Sequence, residues 1–476
     1  MILTRRDSLA TVAPAPPHED RMSDAEGLMW RLDRDPALSG TFGNLTILDR
    51  APDFARVRSR LALAAGSIAR LHQRVQPAPA NVSPPQWVAD TSFDLDYHVR
   101  RIALPKPGTM EQLRDLAALL IADPLERTRP LWQFVVIEGL RGGRAAVLQK
   151  LHHSVADGET GLQLTLSFID LERDAPDPEP MALPDTPPSA STEPAPPSNT
   201  PSGIESLTDL LGSGLRLPLN LMRQVRGLLG EATSSPAAAE QLRMLVAQLT
   251  DLGKAQSPLW TERSLRRGFE TLQFPLDDLR ASAKRLGGTL NVALLTAVAD
   301  ATGAYHREFD APVETLRASM AISTRTEESG NNAFTLARLT VPTAEMPPGE
   351  RFALVKEAAE AARAASSAAP LERLAGFAST LPSAVLTRIA RIQSQTVDFA
   401  TSNLRAAPIP VFVGGAAALA NYPLGPIAGV AFNLTAMSYN ASLDMGVHLD
   451  RAAIEHPDRL RKHLEQSFRR LSRARS

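Results

Sequence analysis

Gln149-Lys150-Leu151-His152-His153-Ser154-Val155-Ala156-Asp157-Gly158 places two histidines, an acid and a glycine directly behind an apolar run. That run, Arg144 to Leu151, is short, partly β-branched and preceded by Gly142-Gly143, the pattern of a strand leaving a turn. The histidines therefore stand at a strand end. Beyond Gly158, a second glycine at 161 and the apolar residues Leu162, Leu164, Leu166, Phe168 and Ile169 predict a loop followed by a helix. Successive side chains of an extended chain point to opposite faces, so His152 and His153 are not expected to share one metal ion or one substrate atom. One is expected to work and the other to pack.

Around this stretch lies a chain of 476 residues, too long for one ordinary core, which predicts two domains. Its 43% hydrophobic and 22% charged content is that of a globular protein. A formal charge of -1 offers no overall attraction to nucleic acid, and no nucleic-acid partner is expected. With no cysteine, disulfides, thiolate nucleophiles and cysteine-bound metal are excluded, leaving oxygen or imidazole chemistry. Prolines and charges at 14–20 interrupt the apolar core that a signal peptide requires, so a cytoplasmic location is expected. The uncharged-looking region from Ala406 to Leu443 is too rich in proline, glycine and asparagine for a lipid-facing helix, and buried strands suit it better.

The reading divides the chain into an arm at 1–21, a first α/β domain at 22–173, a Pro-rich linker at 174–203, and a helical connection with a second α/β domain at 204–476. Strands are predicted at Phe42 to Leu48, Asp94 to Leu104, Arg129 to Ile137, Leu316 to Arg325, Phe334 to Val341, Val411 to Leu419 and Val430 to Tyr439. Helices are predicted at Phe54 to about Arg74, Met110 to Ile121, Leu276 to Leu286, from Thr289 onward, Arg351 to Ala365 and Asp458 to Arg470. Ile204 to Leu249 reads as an amphipathic helical region. Pro218 divides it, and docking on the core or at a lipid surface are both open to it.

His152-His153-Ser154-Val155-Ala156-Asp157-Gly158 resembles the HHxxxDG signature of acyltransferases similar to chloramphenicol acetyltransferase. Arg129-Pro130-Leu131-Trp132, Ser323-Thr324-Arg325, Thr401-Ser402-Asn403 and Tyr422-Pro423 extend the resemblance to the bacterial wax ester synthase/diacylglycerol acyltransferase family. The resemblance implies two chloramphenicol-acetyltransferase-like subdomains with an active-site tunnel between them. It implies His153 as general base, Asp157 as a structural brace paired with Arg325, and His152 and Gly158 as supporting motif residues. A satisfied structural histidine and a helix N-cap are the plainer readings of His153 and Asp157. Where that family carries Asn-Asp at a helix start, this chain reads Asn291-Val292, with Asn291 as a polar stabiliser. Where the family carries Ser-Asn-Val-Pro-Gly-Pro, it reads Ser402-Asn403-Leu404-Arg405-Ala406-Ala407-Pro408.

The implied reaction joins an acyl group from acyl-CoA, a co-substrate rather than a cofactor, to diacylglycerol or a long-chain alcohol. A neutral imidazole suits that reaction because it takes a hydroxyl proton near neutral pH, and a thioester already carries a good leaving group. Such substrates imply contact with a membrane or lipid-droplet surface. The alternatives are acyl transfer to another lipid hydroxyl and a diverged lipid-binding protein with little catalysis.

Overall fold

The computed structural model describes residues 21–77, 85–155, 164–176, 255–323, 334–366 and 383–474. The N-terminal part contains helices α1 (Asp24–Leu32), α2 (Phe54–Ser67), α3 (Leu95–His98) and α4 (Met110–Ala122). Its strands are β1 (Thr41–Leu48), β2 (Gln73–Gln76), β3 (Gln86–Ala89), β4 (Val99–Ala103), β5 (Trp132–Leu140) and β6 (Arg144–His152). The C-terminal part contributes β7 (Arg267–Pro275), α5 (Leu276–Arg285), α6 (Leu290–Glu308), β8 (Thr315–Ser323), β9 (Phe334–Pro342), α7 (Pro348–Ser366) and α8 (Ser383–Ser394). It continues with β10 (Phe399–Arg405), β11 (Phe412–Val413), β12 (Ala416–Leu424), β13 (Phe432–Tyr439), β14 (Ser442–Asp450) and α9 (Pro457–Ser472).

These elements build two six-stranded mixed sheets, the α/β two-subdomain architecture expected from the sequence. The first has the order β11-β12-β1-β6-β5-β4 and the second β7-β14-β13-β10-β8-β9. β6 is buried along nearly its whole length because β1 and β5 flank it and helices cover both faces. Ala146 and Leu148 pack with Leu113, Ala117 and Ile121 of α4, while Val147 and Leu151 share a core with Val57 and Leu61 of α2. A strand covered on both sides has to be apolar almost continuously, which explains the unbroken run in the sequence.

The second sheet reaches the first through β12, which leaves the C-terminal part to pair with β1. At its end β12 crosses the inner face of β13 and β14. Asn421 N–H donates to Asp444 (2.7 Å), Asn433 donates to the Pro426 carbonyl (2.8 Å), and His448 Nδ1–H donates to the Gly425 carbonyl (2.8 Å). Gly446 makes the approach possible: a Cβ there would lie 1.9 Å from the Pro423 carbonyl oxygen. A second tie joins α8 to α1 and the segment after it: Ser383 accepts from Arg31 of α1 (3.2 Å), and Arg391 pairs with Asp35.

Several sequence expectations need adjustment. Helix α2 stops at Ser67, because Gly66-Ser67 and β-branched Ile68 interrupt it and Gln73–Gln76 is a strand. The strand predicted from Asp94 begins only at Val99, since the Asp94 carboxylate caps a helical turn by accepting the Asp96 N–H. The strand predicted at Val411 to Leu419 is broken by a turn, with Gly414 and Gly415 at positive φ. Most of the Pro-rich linker, the helical region at 204–249 and Arg325 lie outside the described residues.

Candidate active site

His153 is placed by the two neighbours of β6. Its backbone N–H donates to the Gly40 carbonyl at the start of β1 (3.1 Å), and the His152 N–H donates to the Leu131 carbonyl just before β5 (3.1 Å). The chain then turns, with Val155 N–H donating back to the His152 carbonyl (2.9 Å). Leu131 is itself held by Trp132, which is fully buried, donates from Nε1 to the Leu71 carbonyl (2.7 Å) and stacks on His98 at 4.5 Å. The Arg129-Pro130-Leu131-Trp132 stretch thus serves the histidines through one carbonyl and a core anchor.

The two histidines part company as extended backbone requires. His152 is 1% exposed, and its Nδ1 accepts from the Ser154 hydroxyl (2.7 Å) and backbone N–H (3.2 Å). Accepting at Nδ1 places its proton on Nε2, which faces Asp33 Oδ1 at 3.6 Å. His153 is half-buried, and its ring stacks on Phe42 of β1 with centroids 4.5 Å apart and planes inclined by 30°. Desolvation, with a smaller contribution from adjacent His152, lowers the His153 pKa to about 4. At neutral pH its imidazole is uncharged and able to accept a proton.

In the second subdomain Asn291, in the first turn of α6, meets Asn403 of β10. Asn403 Nδ2–H donates to Asn291 Oδ1 at 2.7 Å, so the Asn291 carbonyl oxygen is committed to this contact. Ser402, one residue earlier, shares a 2.9 Å hydrogen bond with Thr435. Val292 is 7% exposed and belongs to the apolar core of the second subdomain, with its N–H capped by Thr289. The position where the resembling family has an acid is a core position in this chain. Leu404 and Arg405, at the end of β10, are exposed.

Asp157, Gly158 and Arg325 lie outside the described residues, so the structure does not place the proposed brace. A cleft of about 480 Å³ between α5, α9 and the end of β7 is lined by Arg285, Arg469 and Arg473 among others, and none of its lining residues belongs to the His153 region. Sequence reasoning missed Asp33, Gly40 and Phe42. Phe42 was readable only as a strand residue, and its partner emerged from the β1–β6 pairing.

The wax ester synthase/diacylglycerol acyltransferase catalytic-domain model matches residues 22–294, and the corresponding C-terminal-domain model matches residues 330–472. The chain belongs to this family. As a family member it is an acyltransferase, and its relatives extend along nearly its whole length. A Mycobacterium tuberculosis protein named as a diacylglycerol O-acyltransferase is 29% identical, covering 97% of this chain and 93% of its own. The wax ester synthase/diacylglycerol acyltransferase of Marinobacter aquaeolei VT8 shares the fold with a TM-score of 0.63 at 21% identity, covering 95% of this chain and 98% of its own. A starter condensation domain of rhizomide synthetase, solved with C8-CoA, shares it with a TM-score of 0.55 at 12% identity, covering 95% and 94%.

Proposed function

We propose that this acyltransferase moves a fatty acyl group from acyl-CoA to the hydroxyl of diacylglycerol or a long-chain alcohol, giving triacylglycerol or a wax ester and free CoA. His153 is the general base. Its ring nitrogen takes the hydroxyl proton while the oxygen attacks the thioester carbonyl carbon. The tetrahedral oxyanion then collapses, the carbon–sulfur bond breaks, and the imidazolium returns its proton to the CoA thiolate. No enzyme nucleophile is needed. A base of this kind contributes about 10²- to 10⁴-fold, so substrate positioning and oxyanion stabilisation supply the rest.

The observation that carries this reading is His153 itself: a neutral, half-buried imidazole fixed by backbone hydrogen bonds on both sides and stacked on Phe42. A pKa of about 4 keeps the base form fully populated at neutral pH, at the expense of intrinsic basicity. Developing negative charge on the substrate raises the ring's proton affinity during the step itself, where it is needed. Asp157 and Arg325 in this reading brace the following loop, with His152 and Gly158 as motif support and Asn291 as a polar element of the second subdomain. Acyl-CoA as donor is further supported by the C8-CoA complex of the condensation domain, which has the same fold.

Among the described residues, no helix is long and apolar enough to cross a membrane. We place the protein at the cytoplasmic face of a membrane or on lipid bodies, where such acceptors are found. The test is CoA release from palmitoyl-CoA with diacylglycerol and with hexadecanol, run beside His153→Ala. Release lost in the variant supports the base; release unchanged by it removes His153 from the mechanism. No release with either acceptor favours a different lipid hydroxyl or a lipid-binding role, which the core valine at 292 and the changed residues 404–407 would permit.

A further inference from the structure

Asp33 follows α1 directly, its N–H closing the helix on the Met29 carbonyl (3.0 Å), and its side chain is 9% exposed. One carboxylate oxygen, Oδ1, accepts from the Ser39 hydroxyl (2.7 Å) and the Gly40 N–H (3.3 Å), and faces His152 Nε2 at 3.6 Å. The other, Oδ2, accepts from Arg127 (3.2 Å). Arg127 is in turn fixed: its Nη2 donates to the Trp30 carbonyl (2.9 Å) and its guanidinium lies 3.3 Å over the Trp30 ring. Burial acts to raise the Asp33 pKa, but His152, Ser39 and Arg127 together hold it below the usual carboxylate range. This carboxylate stays charged.

Two of the three groups gathered by Oδ1, Gly40 and His152, define where His153 sits. Gly40 supplies the carbonyl that holds the His153 N–H, and His152 is the preceding residue. The fit between them is close, since a Cβ on Gly40 would lie 3.1 Å from His152 Nε2. We propose that Asp33 is a positioning residue for His153, acting through His152 on one side and through Gly40 on the other. A purely structural cap on α1 would need only the Asp33 backbone N–H. The carboxylate is required because His152 spends Nδ1 on Ser154 and turns its Nε2–H toward the acid, an electrostatic contact at 3.6 Å rather than a full hydrogen bond. With Arg127 clamping Oδ2, the acid cannot follow His152 if the ring rotates; the ring has to keep to the acid.

The proposal rests on His153 being the base, and its test separates the two. Asp33→Asn keeps the shape and an oxygen for Ser39 and Gly40 but removes the charge facing His152 and Arg127. A displaced base loses rate without losing substrate binding, so kcat is expected to fall about tenfold to a hundredfold. KM for palmitoyl-CoA should stay within about twofold. Asp33→Glu should recover part of the loss. The control is Asp35→Asn, which breaks the pairing with Arg391 on the other side of the same turn and should leave kcat unchanged. Imidazole nitrogen NMR of the wild type should report the Nε2–H tautomer for His152, and Asp33→Asn should shift that signal. If Asp33→Asn does not fold, Arg127→Lys loosens the clamp without touching Gly40 and should lower kcat about threefold at constant KM. Wild-type kcat in a folded Asp33→Asn, or in Arg127→Lys where that variant stands in, overturns the proposal while leaving the base reading intact. Activity surviving in His153→Ala would instead remove the base reading.

Discussion

The imidazole of His153 lies on the phenyl ring of Phe42, centroids 4.5 Å apart, and Gly40, just ahead of the strand that carries Phe42, supplies the carbonyl holding the His153 backbone. Phe42 therefore acts as a wall that keeps water from one face of the base. Removing it in Phe42→Ala lets solvent reach the ring and raises the His153 pKa from about 4 toward its ordinary value near 6.5. Because the neutral form is the working form, the acid limb of the kcat/KM profile should move to higher pH in the variant. The loss at neutral pH should be about tenfold, from a less well-held ring. A pH-rate series with palmitoyl-CoA checks this, and an unmoved acid limb would show that the limb belongs to another group.

Acid sensitivity of the fold follows from two other histidines. Burial lowers both His98 and His448 to about 4, despite opposing hydrogen bonds to the Trp132 and Gly425 carbonyls. Unfolded histidine titrates near 6.5, so between pH of about 6.5 and 4 the unfolded chain binds more protons than the folded one. Their neutral burial is fully tolerated above that window, and stability is lost as pH falls through it. Each histidine accounts for a loss on the order of 3 kcal/mol. His448→Asn keeps a side-chain N–H for Gly425 and cannot titrate, so the fall in melting temperature across this window should be shallower in the variant. A parallel fall in both proteins would assign the effect elsewhere.

Much of the fold was legible because its central elements follow simple periodicity. The apolar run into His152 is a covered central strand, and Met110–Ala122 carries Leu113, Ala117 and Ile121 on one face. β14 was not legible: Asp444 and His448 interrupt its apolar pattern because they face the crossing strand β12 and need its backbone groups. The split at Gly414-Gly415 was hidden for a related reason, since apolar residues continue on both sides of the turn. Of the candidate site, His153 was readable from its motif and Phe42 only from strand register. Asp33 carries no local signature, because His152 and Arg127, the charged or ionisable partners that single it out, come from residues distant in the chain.

The crossing at Gly446 is expected to be intolerant of any side chain. A Cβ at this position would lie 1.9 Å from the Pro423 carbonyl oxygen and 2.9 Å from the Phe269 ring. Neither contact can yield cheaply, because Pro423 is paired with Asn44 of β1 and Phe269 is buried in the core. Gly446→Ala should cost about 3 kcal/mol or more, read as a lower denaturant midpoint. Gly143→Ala is the comparison: that glycine has positive φ but open space around its Cβ position, and it should cost only about 1 kcal/mol.

Restoring an acid at residue 292 tests whether this chain has lost a working group or rebuilt the position. Val292 is packed in the same core as Leu295, Phe399 and Leu434, and its backbone N–H is already taken by the Thr289 cap. The Asn291 amide oxygen beside it is occupied by Asn403. A carboxylate in this apolar core would be desolvated. Val292→Asp should therefore lower stability by about 2–4 kcal/mol in chemical denaturation. Its kcat, measured by CoA release on the folded fraction, should not exceed that of the wild type. A gain in kcat from Val292→Asp would mean that the position still opens onto the reacting groups, and the core assignment of Val292 would have to be given up.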